Sequence, residues 1–177
     1  VYFLDSNGHD ENEYYNLMKW DGHTWSKHKL YFDWQGRQVI GPLRAIQVFS
    51  KDEIVVVSST VLVLSNNRWV QLNPPIEAWP NVYANKIWGI SKDNFYIGGS
   101  GGAIAHYQNG IWKKIESGTE LDIVGISGYY DKEKNKTIAF CVASIYGSGL
   151  GHKIIKIVDN SAEILNSEGV APFSLGD

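Results

Sequence analysis

The residues best equipped for chemistry occur in clusters, and each cluster names a chemistry that can be weighed. Asp5-Ser6-Asn7-Gly8-His9-Asp10-Glu11-Asn12-Glu13 gathers oxygen donors into one stretch, and calcium takes about six to eight oxygens. An EF-hand loop needs its glycine at the sixth place, whereas Gly8 is fourth from Asp5, so the stretch reads as a solvated hairpin loop. Gly98-Gly99-Ser100-Gly101-Gly102 and Gly147-Ser148-Gly149-Leu150-Gly151 have the composition of phosphate cradles. Such a cradle works where a strand runs into a helix N-terminus. Both runs lie between segments of strand pattern and read as turns. His9, His23, His28, His106 and His152 show no metal-ligand spacing with a carboxylate partner, and no Gly-x-Ser-x-Gly elbow is read, so nucleophilic catalysis is not expected. His106 falls in a strand pattern and reads as packing or solvent-facing. Cys141 is the single cysteine, which excludes an internal disulfide and a Cys-x-x-Cys zinc site. The expectation is no catalytic residue, no metal and no cofactor.

Charge and composition narrow the partners. A formal net charge of −3 gives no electrostatic reason to expect nucleic acid or an anionic membrane surface. No apolar run is long enough to span a membrane as a helix. Aromatic residues are 13% of the chain, with seven Trp and ten Tyr, a content that suits pleated sheet surfaces. The chain opens on Val1 without an initiator Met, so a removed leader or a longer parent chain is expected.

The elements that must position these residues repeat. Ser50-Lys51-Asp52 returns as Ser91-Lys92-Asp93, and Trp25, Trp69 and Trp112 recur at intervals of 44 and 43 residues. Such a period is that of a four-stranded supersecondary unit. Residues 87–115 show it best, with strands expected at 87–90, 95–98, 103–107 and 111–115, and Asn109-Gly110 at the last hairpin. The unit before it has strands at 45–49, 54–58, 61–65 and 68–72, turning on Asn66-Asn67. A first, incomplete unit offers 1–5, 14–20 and 24–28, turning on Asp21-Gly22. A divergent last unit offers 123–127, 137–143, 153–158 and 162–165, turning on Asp159-Asn160, with Ala162 in the Trp position. No segment has sustained helical periodicity. The reading is an all-β chain, one β-propeller region over 1–177 with about four blades (1–28 incomplete, 43–72, 87–115 and 123–165), as part of a larger propeller. Ser174–Asp177 is the alternative source of the missing strand.

The stretch from Ile87-Trp88-Gly89-Ile90-Ser91 through Ile97-Gly98-Gly99, Ile104-Ala105-His106-Tyr107 and Asn109-Gly110-Ile111-Trp112-Lys113-Lys114-Ile115-Glu116-Ser117-Gly118-Thr119 resembles the blade repeat of bacterial cell-envelope propellers. That group often carries labels such as glucosyltransferase or sialidase-type repeat protein. The resemblance covers 87–128 best and 43–72 less closely. It implies a propeller and an extracytoplasmic location (periplasmic, surface-attached or secreted). It transfers no catalytic residue, because the repeated residues are structural.

Alternating strands send the second-to-third loops and the fourth-to-next loops to one face. Those loops are expected at 6–13, 29–42, 73–85, 116–122 and 144–152, and they carry Trp34, Arg37, Trp79, Tyr83, Glu116, Glu120 and Asp122. Long loops on a rigid scaffold are where binding concentrates. Trp34, Arg37, Trp79, Tyr83, Glu120 and Asp122 are therefore the expected binding residues, and a protein or a glycan is the expected partner on that face. The opposite face is expected to carry short turns, with 129–136 the exception. Trp25, Trp69 and Trp112 are expected to pack between sheets. An unpaired edge at the incomplete unit adds an expectation of assembly through an open blade edge. Non-enzymatic binding or scaffolding is the first functional expectation. A lectin or glycosidase-like propeller, stacking sugars on exposed Trp and Tyr, is the alternative.

Overall fold

The structure is a computed structural model that describes residues 1–10, 13–79, 83–145 and 151–165. It is all-β, and the described residues form antiparallel meanders. The first sheet holds β1 (Tyr2–Asp10), β2 (Glu13–Trp20) and β3 (Trp25–His28). A separate hairpin follows, β4 (Tyr31–Trp34) and β5 (Arg37–Ile40). The second sheet holds β6 (Ala45–Ser50), β7 (Glu53–Val57), β8 (Val61–Ser65) and β9 (Arg68–Leu72). The third holds β10 (Ala84–Ser91), β11 (Asn94–Gly99), β12 (Ile104–Gln108) and β13 (Ile111–Ile115). The fourth holds β14 (Asp122–Asp131), β15 (Lys136–Ser144), β16 (Lys153–Val158) and β17 (Ser161–Leu165).

Turn chemistry sets the registers. Asn66 and Asn67 take φ of 51° and 59°, and Asn109 and Gly110 take 48° and 89°. Left-handed φ at both central residues lets a two-residue turn follow the twist of its strands. Ser65 accordingly pairs with Arg68, and Gln108 with Ile111. Asp159 takes φ 56° in the matching turn of the fourth sheet. In the two repeated Ser-Lys-Asp turns, Ser50 Oγ accepts from Asp52 N and Ser91 Oγ from Asp93 N, each at 3.3 Å. The sequence repeat is thus a repeat of local geometry.

The sheets stack in chain order, and alternation along each central strand sends apolar residues to both faces. Ile54, Val56 and Leu62 meet Leu17, Leu30, Phe32 and Leu43 from the first sheet and the hairpin. Their neighbours Val55, Val57, Val61 and Val63 meet Phe95, Ile97, Ala105 and Tyr107 of the third sheet. On the far side of the third sheet, Tyr96, Ile104 and Ile115 meet Ile123, Ala139, Cys141, Ile155 and Ile157 of the fourth. A strand buried on both faces reads as a continuous apolar run, which accounts for Ile54-Val55-Val56-Val57. Each such side chain contributes about 1.5–3 kcal/mol through burial. The leading strands β6, β10 and β14 lie next to one another. Gly98 of β11 permits β14 to approach as well, since a Cβ there would come within 2.5 Å of Ile123 Cγ2.

Four expectations are corrected. The stretch 29–42 is no open loop: it contains the β4–β5 hairpin, turning on Gln35 and Gly36 with φ of 52° and 78°. Trp20 pairs with Trp25, so the first sheet turns through the four residues Asp21–Thr24. Asp21 Oδ1 closes that loop by accepting from His23 N and Thr24 N at 2.7 and 2.8 Å. Within 6–13, residues Gly8, His9, Asp10 and Glu13 belong to the β1–β2 ladder, with Asp10 opposite Glu13. The stretch 129–136 shortens to a turn between Asp131 and its partner Lys136. The Gly147–Leu150 run and the tail Ser174–Asp177 lie outside the described residues.

Candidate functional site

The loops predicted to share a face are fastened to one another there. In the second sheet the β7–β8 turn is the hub. Ser58 Oγ donates to the Pro42 carbonyl at 2.6 Å, Ala84 N donates to the Ser58 carbonyl at 2.9 Å, and Arg44 N donates to the Val57 carbonyl at 2.8 Å. The chain leaving the hairpin and the chain entering the third sheet therefore meet at one turn. The β4–β5 hairpin is tied to the same end of β9: Gln71 Oε1 accepts from Asp33 N at 2.7 Å and Gln71 Nε2 donates to the Asp33 carbonyl at 3.1 Å.

Between the third and fourth sheets the same face opens into a groove of about 890 Å³. Its walls are the 3₁₀ turn Ser100–Gly102, the segment Lys114–Leu121 and Lys153 at the start of β16. Gly101 N donates to Asp122 Oδ1 at 2.8 Å, which joins the two walls. Gly102 has φ 72°, and a Cβ there would overlap the Thr119 carbonyl and lie 2.9 Å from Ser117 Oγ. The walls stand this close only because that position has no side chain. Ser117 Oγ donates to the Thr119 carbonyl at 3.1 Å, and Thr119 Oγ1 accepts from Leu121 N at 3.2 Å. Lys114 pairs with Glu116 at 2.8 Å, the Glu116 side chain largely in solvent and the Lys114 side chain partly so. The lining carries both signs of charge (Lys114, Lys153, Glu116, Glu120) with three hydroxyls. Such a surface suits a polar ligand held by several hydrogen bonds.

A second polar cluster lies at the opposite, short-turn end. His106 is buried, stacked on Tyr96 with ring centroids 4.0 Å apart. Its Nδ1 is 2.7 Å from Asn160 Oδ1 and its Nε2 is 2.8 Å from Asn94 Oδ1. Tyr96 Oη donates to the Asp159 carbonyl at 2.6 Å. Burial pushes the His106 imidazole below its usual range. A neutral ring donates through one nitrogen and accepts through the other, so one of the two carboxamides must present its NH₂. The links to Asn160 and Asp159 join the third sheet to the last hairpin turn of the fourth, the link to Asn94 stays within the third sheet, and the cluster is a clamp. His106 is thus packing, as one of its two expected readings has it.

The six expected binding residues do not form one site. Glu120 lines the groove and is exposed. Asp122 stands behind it, committed to Gly101 N. Trp34 and Arg37 face each other across the tip of the β4–β5 hairpin, both exposed. Tyr83 is exposed, with the Arg44 guanidinium 4.5 Å from its ring centroid and Arg44 Nη1 donating to Asn85 Oδ1 at 3.2 Å. Trp79 is corrected. It is only 6% exposed and packs into the core between the second and third sheets. The Trp79 N–H donates to the Pro75 carbonyl at 2.9 Å, so the loop folds back there. Its ring lies over Gly99, 2.9 Å from where a Cβ would stand.

Sequence reasoning missed Lys114 and Lys153 as lining residues of the groove, and read Ser117-Gly118-Thr119 as structure alone. It also passed over Gly98-Gly99-Ser100-Gly101-Gly102 as the letters of a Gly-x-Ser-x-Gly elbow. In the structure this run leads through the 3₁₀ turn into strand β12, and among the described residues no histidine lines the groove beside Ser100. The elbow's strand-to-helix context and its base are both missing there. The comparisons add no name to this geometry: no family model, no curated protein and no solved structure matches the chain.

Proposed function

We propose that this chain is a β-propeller region of an extracytoplasmic bacterial protein, and that it binds a protein or glycan ligand without turning it over. Three observations support the propeller. The second, third and fourth sheets are four-stranded meanders of one connectivity, they stack face to face in chain order, and their leading strands are neighbours. The repeat resemblance supports the envelope location. The observation that carries the binding reading is the groove between the third and fourth sheets, whose walls are held by Gly101–Asp122 and by the close approach at Gly102. Preorganised walls lower the ordering cost of binding.

A second reading has its own observation. Trp34 stands exposed at a hairpin tip beside Arg37, the arrangement of an aromatic platform with a polar neighbour that a sugar ring uses. A glycan array and a displayed-peptide library, screened with the wild type, Glu120→Lys/Lys153→Glu and Trp34→Ala, separate the two. Loss of the selected ligand only in the groove variant supports the groove. Loss only in Trp34→Ala transfers the site to the hairpin. Turnover of aryl glycosides by the wild type would overturn the non-enzymatic reading.

A further inference from the structure

Two successive sheet-to-sheet contacts differ in chemistry at the same repeat positions. Val55 pairs with Val63 in the second sheet, and both pack against the third. Tyr96 pairs with His106 in the third sheet; Tyr96 packs against the fourth, and His106 bonds to its last hairpin turn. The repeated Ser-Lys-Asp turns align Val55 with Tyr96, and Trp69 and Trp112 align Val63 with His106. One pair of positions thus holds two valines at one contact and a phenol stacked on an imidazole at the next. The valine pair shows that the repeat needs no polar group there, and burying one costs free energy.

The groups around the ring oppose its charging. His106 is only 4% exposed, and its two nitrogens meet the neutral carboxamides of Asn160 and Asn94. Burial disfavours the imidazolium most; the Asn160 contact favours it, Lys113 opposes it and Asp159 favours it. Lys113 is the cross-strand partner of His106 on β13, and Asp159 is engaged by Lys136 at 3.4 Å. The fourth sheet packs Ala139, Cys141, Ile155 and Ile157 against this side. Its Lys156–Glu163 pair alternates with these residues and lies on the other side of β16 and β17. Burial pushes the Tyr96 phenol and the Cys141 thiol up, so both stay neutral. Among the described residues no carboxylate bonds the ring. A ring released to water takes its proton near pH 6.5, the window in which histidine serves as a switch.

We propose that the Asn94–His106–Asn160 clamp is an acid-operated switch: protonation of His106 parts the third and fourth sheets at their short-turn end, while the contact between the second and third sheets stays shut. The open form binds the proton more tightly than the closed one, so acid shifts the population toward it. Closure is fully favoured above about pH 6.5 and weakens as pH falls toward the lower value of the closed ring. Opening also releases Tyr96 Oη from the Asp159 carbonyl, which uncovers the core that Tyr96 shares with Cys141.

Cys141 is the single cysteine and is fully buried at this contact, so its labelling reports the opening. The full chain is treated with a dipyridyl disulfide, which reacts with thiols in acid, from about pH 7.5 to about pH 5. Each rate is divided by that of the urea-unfolded chain at the same pH. The relative rate is expected to be flat above about pH 6.5 and to rise toward tenfold per pH unit below it. About 1 M urea should leave it unchanged, because a local opening exposes little surface. His106→Gln is expected to be flat throughout. Asn160→Asp offers the imidazolium a carboxylate and is expected to abolish or reverse the rise, which keeps the test open if His106→Gln does not fold. A wild-type rate that ignores pH overturns the proposal. So does a rise that survives either substitution, or one that climbs with urea as steeply as global unfolding does.

Discussion

Gly101 and Gly102 provide a controlled comparison of backbone strain with steric contact at the groove. Both occupy the left-handed region, at φ 63° and 72°. A Cβ at Gly101 meets nothing within 4 Å, whereas one at Gly102 overlaps the Thr119 carbonyl oxygen and comes within 2.8 Å of its carbon. Gly101→Ala should therefore cost only the left-handed penalty, about 1–2 kcal/mol. Gly102→Ala adds the displacement of the 117–119 segment by roughly 1.5 Å to restore ordinary contact with the Thr119 carbonyl oxygen. That movement strains the bond from Ser117 Oγ to the Thr119 carbonyl, worth about 1 kcal/mol. Lost packing between the walls brings the expected total to about 3–4 kcal/mol, within the range of single substitutions with a named mechanism. Urea unfolding followed by tryptophan fluorescence reads the difference. With a slope of about 2 kcal/mol/M, the two midpoints should lie about 1 M apart. Midpoints that coincide would refute the close approach of the two groove walls.

Three further outcomes follow from the packing. Trp112 packs on Phe95 and Tyr107 at centroid distances of 5.7 and 4.9 Å, and Trp69 packs on the core before the second sheet. Both are half-buried, so Trp112→Ala and Trp69→Ala should each cost about 2–3 kcal/mol by chemical denaturation, below the cost of emptying a fully buried aromatic site. The lowered imidazole of His106 makes stability depend on pH. Between its folded value and the unfolded value of about 6.5 the unfolded chain binds the extra proton, so this contribution is complete above about pH 6.5 and is lost as pH falls below it. Denaturation midpoints at several pH values should show that slope in the wild type and a flatter one in His106→Gln. Cys141 is fully buried, and burial pushes its thiol up to about 12. It should stay inert to a thiol reagent at pH 8 in the native protein and react on unfolding.

Much of the architecture is legible in the sequence because its signals are local. Asn66-Asn67 and Asn109-Gly110 announce two-residue turns, and the strands around them fall within a few residues of their expected places. The β4–β5 hairpin escaped because Gln35 is an unusual residue for a left-handed turn position, and Leu30, Phe32 and Val39 make too short a pattern. Trp79 was misplaced for a different reason. Periodicity describes residues inside an element, whereas Trp79 is buried by its loop folding back over Gly99. The groove was legible only as a face. Glu116, Glu120 and Asp122 were expected there, but the approach of Lys153 depends on how the third and fourth sheets stack. Trp25 shows the limit of the repeat itself. The interval of 44 residues marks a position that packs between sheets at Trp69 and Trp112, whereas Trp25 of the first sheet is 48% exposed, against the expectation that it packs between sheets.

The central claim is that successive four-stranded sheets stack face to face and carry their long loops to one side. The contact beneath the groove tests it most directly. Gly98 of the third sheet lies against Ile123 of the fourth, with the Cγ2 methyl 2.5 Å from where a Gly98 Cβ would stand. A methyl-labelled NOESY spectrum with both residues assigned should contain a strong cross-peak between the Ile123 Cγ2 methyl and a Gly98 Hα. Absence of that cross-peak, with the β10–β11 and β14–β15 ladder peaks present, would mean that the sheets form but do not stack, and would contradict the account.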